Sequence, residues 1–140
     1  MGGLAKWLRF CGFDAAVRRL SPPLPSPAPD TFLLTSRASL KKPDRSDVLV
    51  LAAVHPRQQL EEVFERLAIS PARLKLLSRC SRCNEPLAPV RREQVAGRVP
   101  EHVFHHHEEF YECPHCHRLF WPGSHLKGIA GTLKKNLPRP

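Results

Sequence analysis

Apolar residues recur at helical spacing near the start of the chain. The first four fall at i, i+3, i+4 and i+7, which is one face of a short helix: Leu4, Trp7, Leu8 and Cys11. Gly12 suits the position just past a helix end, where a left-handed backbone needs no Cβ. The pattern predicts an opening helix that buries one face, with Cys11 as a small core residue.

Apolar runs further along the chain predict strands. Residues 31–36 are typical of a strand, and residues 47–54 form a continuous apolar run, the pattern of a strand buried on both faces. Pro56 suits the first turn of a helix, whose apolar stripe follows as Leu60, Val63, Phe64 and Leu67. Residues 73–77 alternate briefly and predict another strand. Strands that alternate with helices indicate an α/β fold with a mainly parallel sheet.

Proline changes this picture over residues 21–30. The chain has 15 prolines, and five of them fall within residues 22–29. Because proline lacks an N–H group and fixes φ, this segment can be neither a helix nor a central strand. We expect an extended surface loop there. A proline-rich ligand for a partner protein is the alternative.

The charge of the chain favours an anionic partner. The formal net charge is +9, and the segment before Cys80 carries 13 Lys/Arg against 7 Asp/Glu. Such an excess suits a polyanion, most often nucleic acid, although an ordinary basic protein can have the same charge. The opening apolar segment is interrupted by Lys6 and Arg9, so it is neither a signal peptide nor a membrane span. We expect no membrane association and a cytoplasmic location.

Four of the five cysteines form two pairs at metal-binding spacing. Cys80 and Cys83 make one C-x-x-C turn, Cys113 and Cys116 make the other, and 29 residues separate the pairs. Two such turns can present four thiolates to one metal, which is the pattern of a zinc ribbon. A four-thiolate site leaves no position for water or substrate, so we expect a structural Zn²⁺.

Histidines close to the second pair leave alternatives open. His115 and His117 could replace a cysteine ligand, although four thiolates suffice. His105, His106 and His107 are consecutive, so in a strand they cannot all face one metal, and we expect a polar, solvated strand or turn. Residues 110–112 and 118–121 predict the ribbon strands that flank the second cysteine turn.

Three segments together resemble the Mut-seven C-terminal RNase family. They are LAKWLRFCGFD at residues 4–14, RVPEHVFHHHEEFYECPHC at residues 98–116 and LFWPGSH at residues 119–125. The resemblance implies a PIN-like nuclease domain followed by a zinc ribbon. We therefore expect an incomplete, small, three-layer PIN-like α/β domain over residues 1–78, a zinc ribbon over residues 79–126, and a basic, disordered tail over residues 127–140.

The resemblance also implies an acidic metal site that this sequence departs from. PIN-like nucleases hold Mg²⁺ or Mn²⁺ with clustered carboxylates, because these hard cations take oxygen ligands. The family's first acidic residue lies on a strand before the opening helix, whereas this chain begins at Met1. Arg37 occupies a position that is usually Asp, and the proline-rich loop replaces an acidic helix. We expect a truncated or degenerate domain, no catalytic residues, and lost or weak catalysis.

Three functions are consistent with these observations. The first is an RNA-binding protein without catalysis, the second is an active Mg²⁺- or Mn²⁺-dependent ribonuclease, and the third is a zinc-stabilised module that binds a protein. For the first, phosphate binding would be sequence-independent and sensitive to salt. The predicted phosphate contacts are Lys6, Arg9, Arg18, Arg19, Lys41, Lys42, Arg45, Arg82, Arg118 and His125.

Overall fold

The N-terminal half of the chain is a small α/β arrangement, as predicted. The computed structural model describes residues 2–123. Two helices and two strands follow one another as α1 (Gly2–Phe10), β1 (Leu33–Thr35), β2 (Val48–Val50) and α2 (Pro56–Arg66). Strands β1 and β2 pair in parallel, with Leu34 opposite Leu49. Residues 21–30 form neither helix nor strand.

Helix α1 ends in the turn that the sequence predicts. The N–H of Gly12 donates to the carbonyl of Arg9 at 2.9 Å, and the N–H of Phe13 donates to that of Leu8 at 3.0 Å. This pair of bonds is a Schellman motif, and Gly12 has the left-handed φ of 96° that the motif requires. A Cβ at Gly12 would also lie 2.6 Å from the carbonyl oxygen of Lys75, so the turn excludes larger residues.

Strand β2 is shorter than the apolar run that predicts it. The carboxylate of Glu62 in α2 accepts hydrogen bonds from the N–H groups of Ala52 at 3.0 Å and Ala53 at 2.9 Å. Those N–H groups are therefore withdrawn from the sheet, and the chain leaves β2 at this point. Burial opposes ionisation of Glu62, but these bonds together with Arg66 lower its pKa.

One apolar core holds the N-terminal half together. The helical stripe of α2 packs against the apolar face of α1, and Phe13 lies edge-on to Phe64 with ring centroids 5.8 Å apart. Trp7, Leu34 and Leu67 are partly buried against this core. Its buried members are Leu4, Leu8, Cys11, Leu49, Leu51, Leu60, Val63 and Phe64.

The strand predicted over residues 73–77 is wrong. A short 3₁₀ helix, Pro71–Arg73, leads into turns, and Leu77 has a positive φ of 62°. The N–H of Lys75 donates to the carbonyl of Cys11 at 2.9 Å, which ties this segment to the end of α1. Leu74 and Leu77 pack against the core. The apolar residues of this segment therefore mark a turn in which Leu74 and Leu77 contact the core, and not a strand.

The C-terminal half contains an antiparallel sheet. Strands β3 (Ala88–Val90), β4 (Phe110–Glu112) and β5 (Leu119–Phe120) lie in the order β3–β4–β5, and β4 and β5 match the predicted ribbon strands in part. Helix α3 (Glu101–His106) packs beside them. The second core consists of Val95, Val103 and Phe110, with Trp121 partly buried against it.

The three consecutive histidines lie at the end of a helix rather than in a strand or turn. His105 and His106 end α3, and His107 follows as its C-terminal cap. The side chain of His106 bonds through Nδ1 to the carbonyl oxygen of His102 at 2.7 Å. The apolar Val103 and Phe104 anchor this turn on the second core, which places the histidines on its outer side.

Across residues 2–123, no helix has both the length and the apolar character that a membrane span needs.

Candidate metal centre

The structure brings the two cysteine pairs together. The four sulfur atoms, from Cys80, Cys83, Cys113 and Cys116, all lie within 4.8 Å of one another. The sulfurs of Cys80 and Cys116 are 3.8 Å apart. Cys80 and Cys113 are fully buried, and the other two are half-buried. None of the four forms a disulfide.

The first cysteine turn is closed by three hydrogen bonds. The N–H of Cys83 donates to the sulfur of Cys80 at 3.3 Å. The N–H of Asn84 donates to the carbonyl of Cys80 at 2.9 Å, and the N–H of Cys80 donates to the carbonyl of Glu85 at 2.8 Å. Asn84 has a positive φ of 63°.

The second cysteine turn has the same three hydrogen bonds at equivalent positions. The N–H of Cys116 donates to the sulfur of Cys113 at 3.5 Å. The N–H of His117 donates to the carbonyl of Cys113 at 2.8 Å, and that of Cys113 donates to the carbonyl of Arg118 at 3.0 Å. His117 also has a φ of 63°. Asn and His are among the few residues besides Gly that tolerate this conformation, a signal that the sequence analysis missed.

The donor set fits a tetrahedral metal with thiolate ligands, such as zinc. With metal–sulfur bonds of about 2.3 Å, a tetrahedron has a sulfur–sulfur edge of about 3.8 Å. The separation between Cys80 and Cys116 has this length. The N–H groups that point at two of the sulfurs would stabilise their thiolate form. His115 and His117 are exposed and are not needed to complete the set.

The thiols differ in acidity when no metal neutralises them. Burial raises the pKa of Cys83 to about 12 and also raises that of Cys80. By contrast, the backbone N–H of Arg118 donates to Cys116 and lowers its pKa to about 7. Cys116 can therefore release its proton near neutral pH, while a cation is needed to displace the protons of Cys80 and Cys83.

An ion pair supports the second cysteine turn. Arg98 contacts the carboxylate of Glu112 at 2.8 Å and donates to the carbonyl of His117 at 3.2 Å. The ring of His117 lies 3.2 Å from the same carboxylate through Nδ1. The bond from Arg98, followed by that from His117, lowers the pKa of Glu112. This arrangement holds His117, whose φ is positive, in place.

A comparison with protein families matches residues 1–133 to the Mut7-C RNAse domain. The chain belongs to this family. Searches of the curated proteins and of the solved structures found no match to this chain. The family assignment agrees with the resemblance that the motifs carry.

The carboxylates within residues 2–123 form no group of three or more potential metal ligands. Within residues 2–123, the four cysteines form the one group of three or more potential metal ligands. Asp14 accepts a hydrogen bond from the side chain of Asn84 at 2.6 Å. Asp47 pairs with Arg45 at 2.7 Å, which lowers the pKa of Asp47. Arg37 lies two residues beyond β1 with an exposed side chain.

The predicted phosphate contacts occupy different environments. Arg45 is engaged with Asp47, and Lys6 lies with its Nζ atom 5.8 Å from the centre of the Phe10 ring. Arg82 and Arg118 are exposed beside the two cysteine turns. Arg18, Arg19, Lys41 and Lys42 are exposed in the N-terminal half. His125 lies outside the described residues, as does the predicted tail at residues 127–140.

Arg9 connects the opening helix to the metal centre. Its Nε atom donates to the carbonyl of Ala15 at 2.8 Å, and Nη1 lies 3.0 Å from the carbonyl oxygen of Ser81 and 3.3 Å from that of Arg82. The sequence predicts Arg9 as a phosphate contact and gives no sign of this connection. Nothing in the sequence signals it, because the partners are backbone atoms more than seventy positions away.

Proposed function

We propose that this chain binds single-stranded RNA on a scaffold stabilised by zinc, and that the hydrolytic activity of its family has been lost. The observation that carries the proposal is the charge beyond strand β1. Arg37 stands near the carboxyl end of this strand, the edge at which parallel α/β sheets commonly bind their ligands. A guanidinium there repels Mg²⁺ or Mn²⁺ and attracts phosphate.

The ligand groups of the chain support the same proposal. Hydrolysis by hard divalent cations needs several oxygen ligands at one point. In the part of the chain that the structure describes, only the cysteines converge in this way. Four thiolates suit Zn²⁺ and close its coordination sphere, so the metal has a structural role.

The N-terminal half would then be a reduced PIN-like domain, and the C-terminal half a zinc ribbon. Family membership favours RNA as the partner, and the net charge of +9 supplies the electrostatic attraction. Reduced thiols suit a cytoplasmic protein, which is the location we propose.

The experiment is a paired binding and cleavage assay on the zinc-loaded chain. Fluorescence anisotropy with a labelled oligouridine should show binding that weakens steeply as salt rises. Gel analysis of the same RNA with added Mg²⁺ or Mn²⁺ should show no cleavage. Cleavage that EDTA abolishes would establish an active ribonuclease instead. A lack of RNA affinity would remove the proposal and favour a protein-binding module.

A further inference from the structure

A hydrogen bond brings two separate basic segments of the N-terminal half together. The Nη1 atom of Arg37 donates to the carbonyl oxygen of Leu20 at 2.9 Å. Leu20 directly follows Arg18 and Arg19 and lies seventeen positions before Arg37 in the chain. This contact therefore places the Arg18–Arg19 pair beside the end of β1.

A short 3₁₀ helix adds the second basic pair to the same region. Arg37 is the N-terminal cap of this helix, Ala38–Leu40, and Lys41 is its C-terminal cap, with its N–H donating to Ala38 at 3.1 Å. Leu40 is buried and anchors the turn. Lys41 and Lys42 consequently emerge one tight turn beyond Arg37 with exposed side chains.

These segments carry no opposing charge of their own. Every charged residue within residues 15–29 and 31–43 is a cation. Asp30 and Asp44 border the two segments, and the nearby Asp47 is already paired with Arg45 at 2.7 Å. We call the resulting group the Arg37 surface, and its members are Arg18, Arg19, Arg37, Lys41 and Lys42.

A cleft with both polar and apolar lining opens beside this surface. Ser36, which precedes Arg37, lines this cleft of about 220 Å³ together with Leu4, Val54, Pro56 and Gln59. The side chain of Val54 is 80% exposed. Unpaired RNA bases can turn out of the strand and be contacted through their faces and hydrogen-bonded through their edges, whereas a duplex keeps its bases stacked inside.

We propose that the Arg37 surface binds the phosphates of single-stranded RNA, with a base entering the adjacent cleft. This inference rests on the proposed RNA binding and assigns it to one face of the N-terminal half. Five cations without a carboxylate among them match a run of phosphates. The adjacent cleft offers a site for an unpaired base, which an acidic peptide does not carry.

The first test removes charge in matched pairs. Lys41→Gln with Lys42→Gln, and separately Arg18→Gln with Arg19→Gln, should each weaken oligouridine binding several-fold. The logarithmic salt slope should fall by about 1.4 for each pair, because each phosphate contact on a single strand contributes about 0.7. The control is Arg73→Gln with Lys75→Gln. It removes the same charge from exposed positions near the C-terminal end of α1, where the N–H of Lys75 bonds to Cys11.

A second test addresses the cleft. Val54→Glu places a carboxylate at its mouth, and the high exposure of Val54 leaves the fold intact, which circular dichroism should verify. This variant should weaken oligouridine binding and leave the binding of polyglutamate unimproved. An unlabelled RNA duplex should compete less well than unlabelled oligouridine of the same length.

The outcomes separate this inference from the proposed function. If the unmodified chain binds oligouridine and the control pair weakens binding as much as the Arg37 surface pairs, the surface is wrong while RNA binding stands. Polyglutamate that binds as tightly through the same residues would replace RNA with an acidic protein. Failure of the unmodified chain to bind oligouridine would remove both.

Discussion

The guanidinium of Arg9 in helix α1 donates to the carbonyl oxygen of Ser81 in the first cysteine turn, at 3.0 Å. This contact joins the two halves of the molecule. The side chain of Asn84 extends the connection, because it accepts the N–H of Ala15 at 3.0 Å and donates to Asp14 at 2.6 Å. The end of α1 and the metal centre therefore support each other.

Replacing Arg9 by alanine should destabilise the whole chain. The variant loses a charged donor to three backbone carbonyls, and we expect a decrease of about 2 kcal/mol in the free energy of unfolding. Urea denaturation of the zinc-loaded protein would measure it. Arg18→Ala, at an exposed arginine, should change the stability little. Equal stability of the two variants would contradict the connection.

Asn84 combines a backbone role with a side-chain role, and two substitutions separate them. Asn84→Gly keeps a residue that tolerates φ of 63° but loses the bonds to Asp14 and Ala15, so it should cost about 1 kcal/mol. Asn84→Ala loses the side-chain bonds and also strains the backbone at positive φ, so it should cost about 1 kcal/mol more than the glycine variant. Thermal unfolding would rank the three proteins. An alanine variant more stable than the glycine variant would refute the backbone role.

The cysteines should differ sharply in their effect on metal content. Cys113→Ser removes one of the four converging sulfurs, so the purified protein should lose its zinc and the C-terminal sheet should unfold. Cys11→Ala should retain the full zinc content, because Cys11 lies in the N-terminal core. Metal analysis and circular dichroism provide the measurements. Full zinc in the Cys113 variant would show that the four-thiolate assignment is wrong.

Zinc affinity should fall as the solution becomes more acidic. Burial raises the pKa values of Cys80 and Cys83, so metal binding must displace their protons, and protons compete better at lower pH. Cys116, with a pKa of about 7, adds a further protonation on going below neutrality. Competition with a chromophoric chelator between about pH 8 and pH 6 should show a steep loss of affinity. A flat profile would indicate ligands other than thiols.

The sequence by itself determined the elements whose signals are local. The apolar spacing in α1, the turn at Gly12 and the proline that begins α2 each depend on neighbouring residues, and each is present as predicted. The two C-x-x-C turns are also local, because two intervening residues suffice to direct both sulfurs of a pair to one side. The resemblance to the Mut7-C RNAse family followed from the same contiguous motifs.

Tertiary structure decided what depends on distant partners. Residues 73–77 became a turn because Lys75 bonds to Cys11 and the two leucines face the core. Strand β2 ends just before Ala52, whose N–H group donates to the carboxylate of Glu62. Arg9, predicted as a phosphate contact, donates to the carbonyl of Ser81. Arg37 meets Leu20 across the proline-rich segment. The sequence shows which side chains can donate a hydrogen bond, but it does not show which distant backbone group will accept it. Only the folded structure brings donor and acceptor within hydrogen-bonding distance.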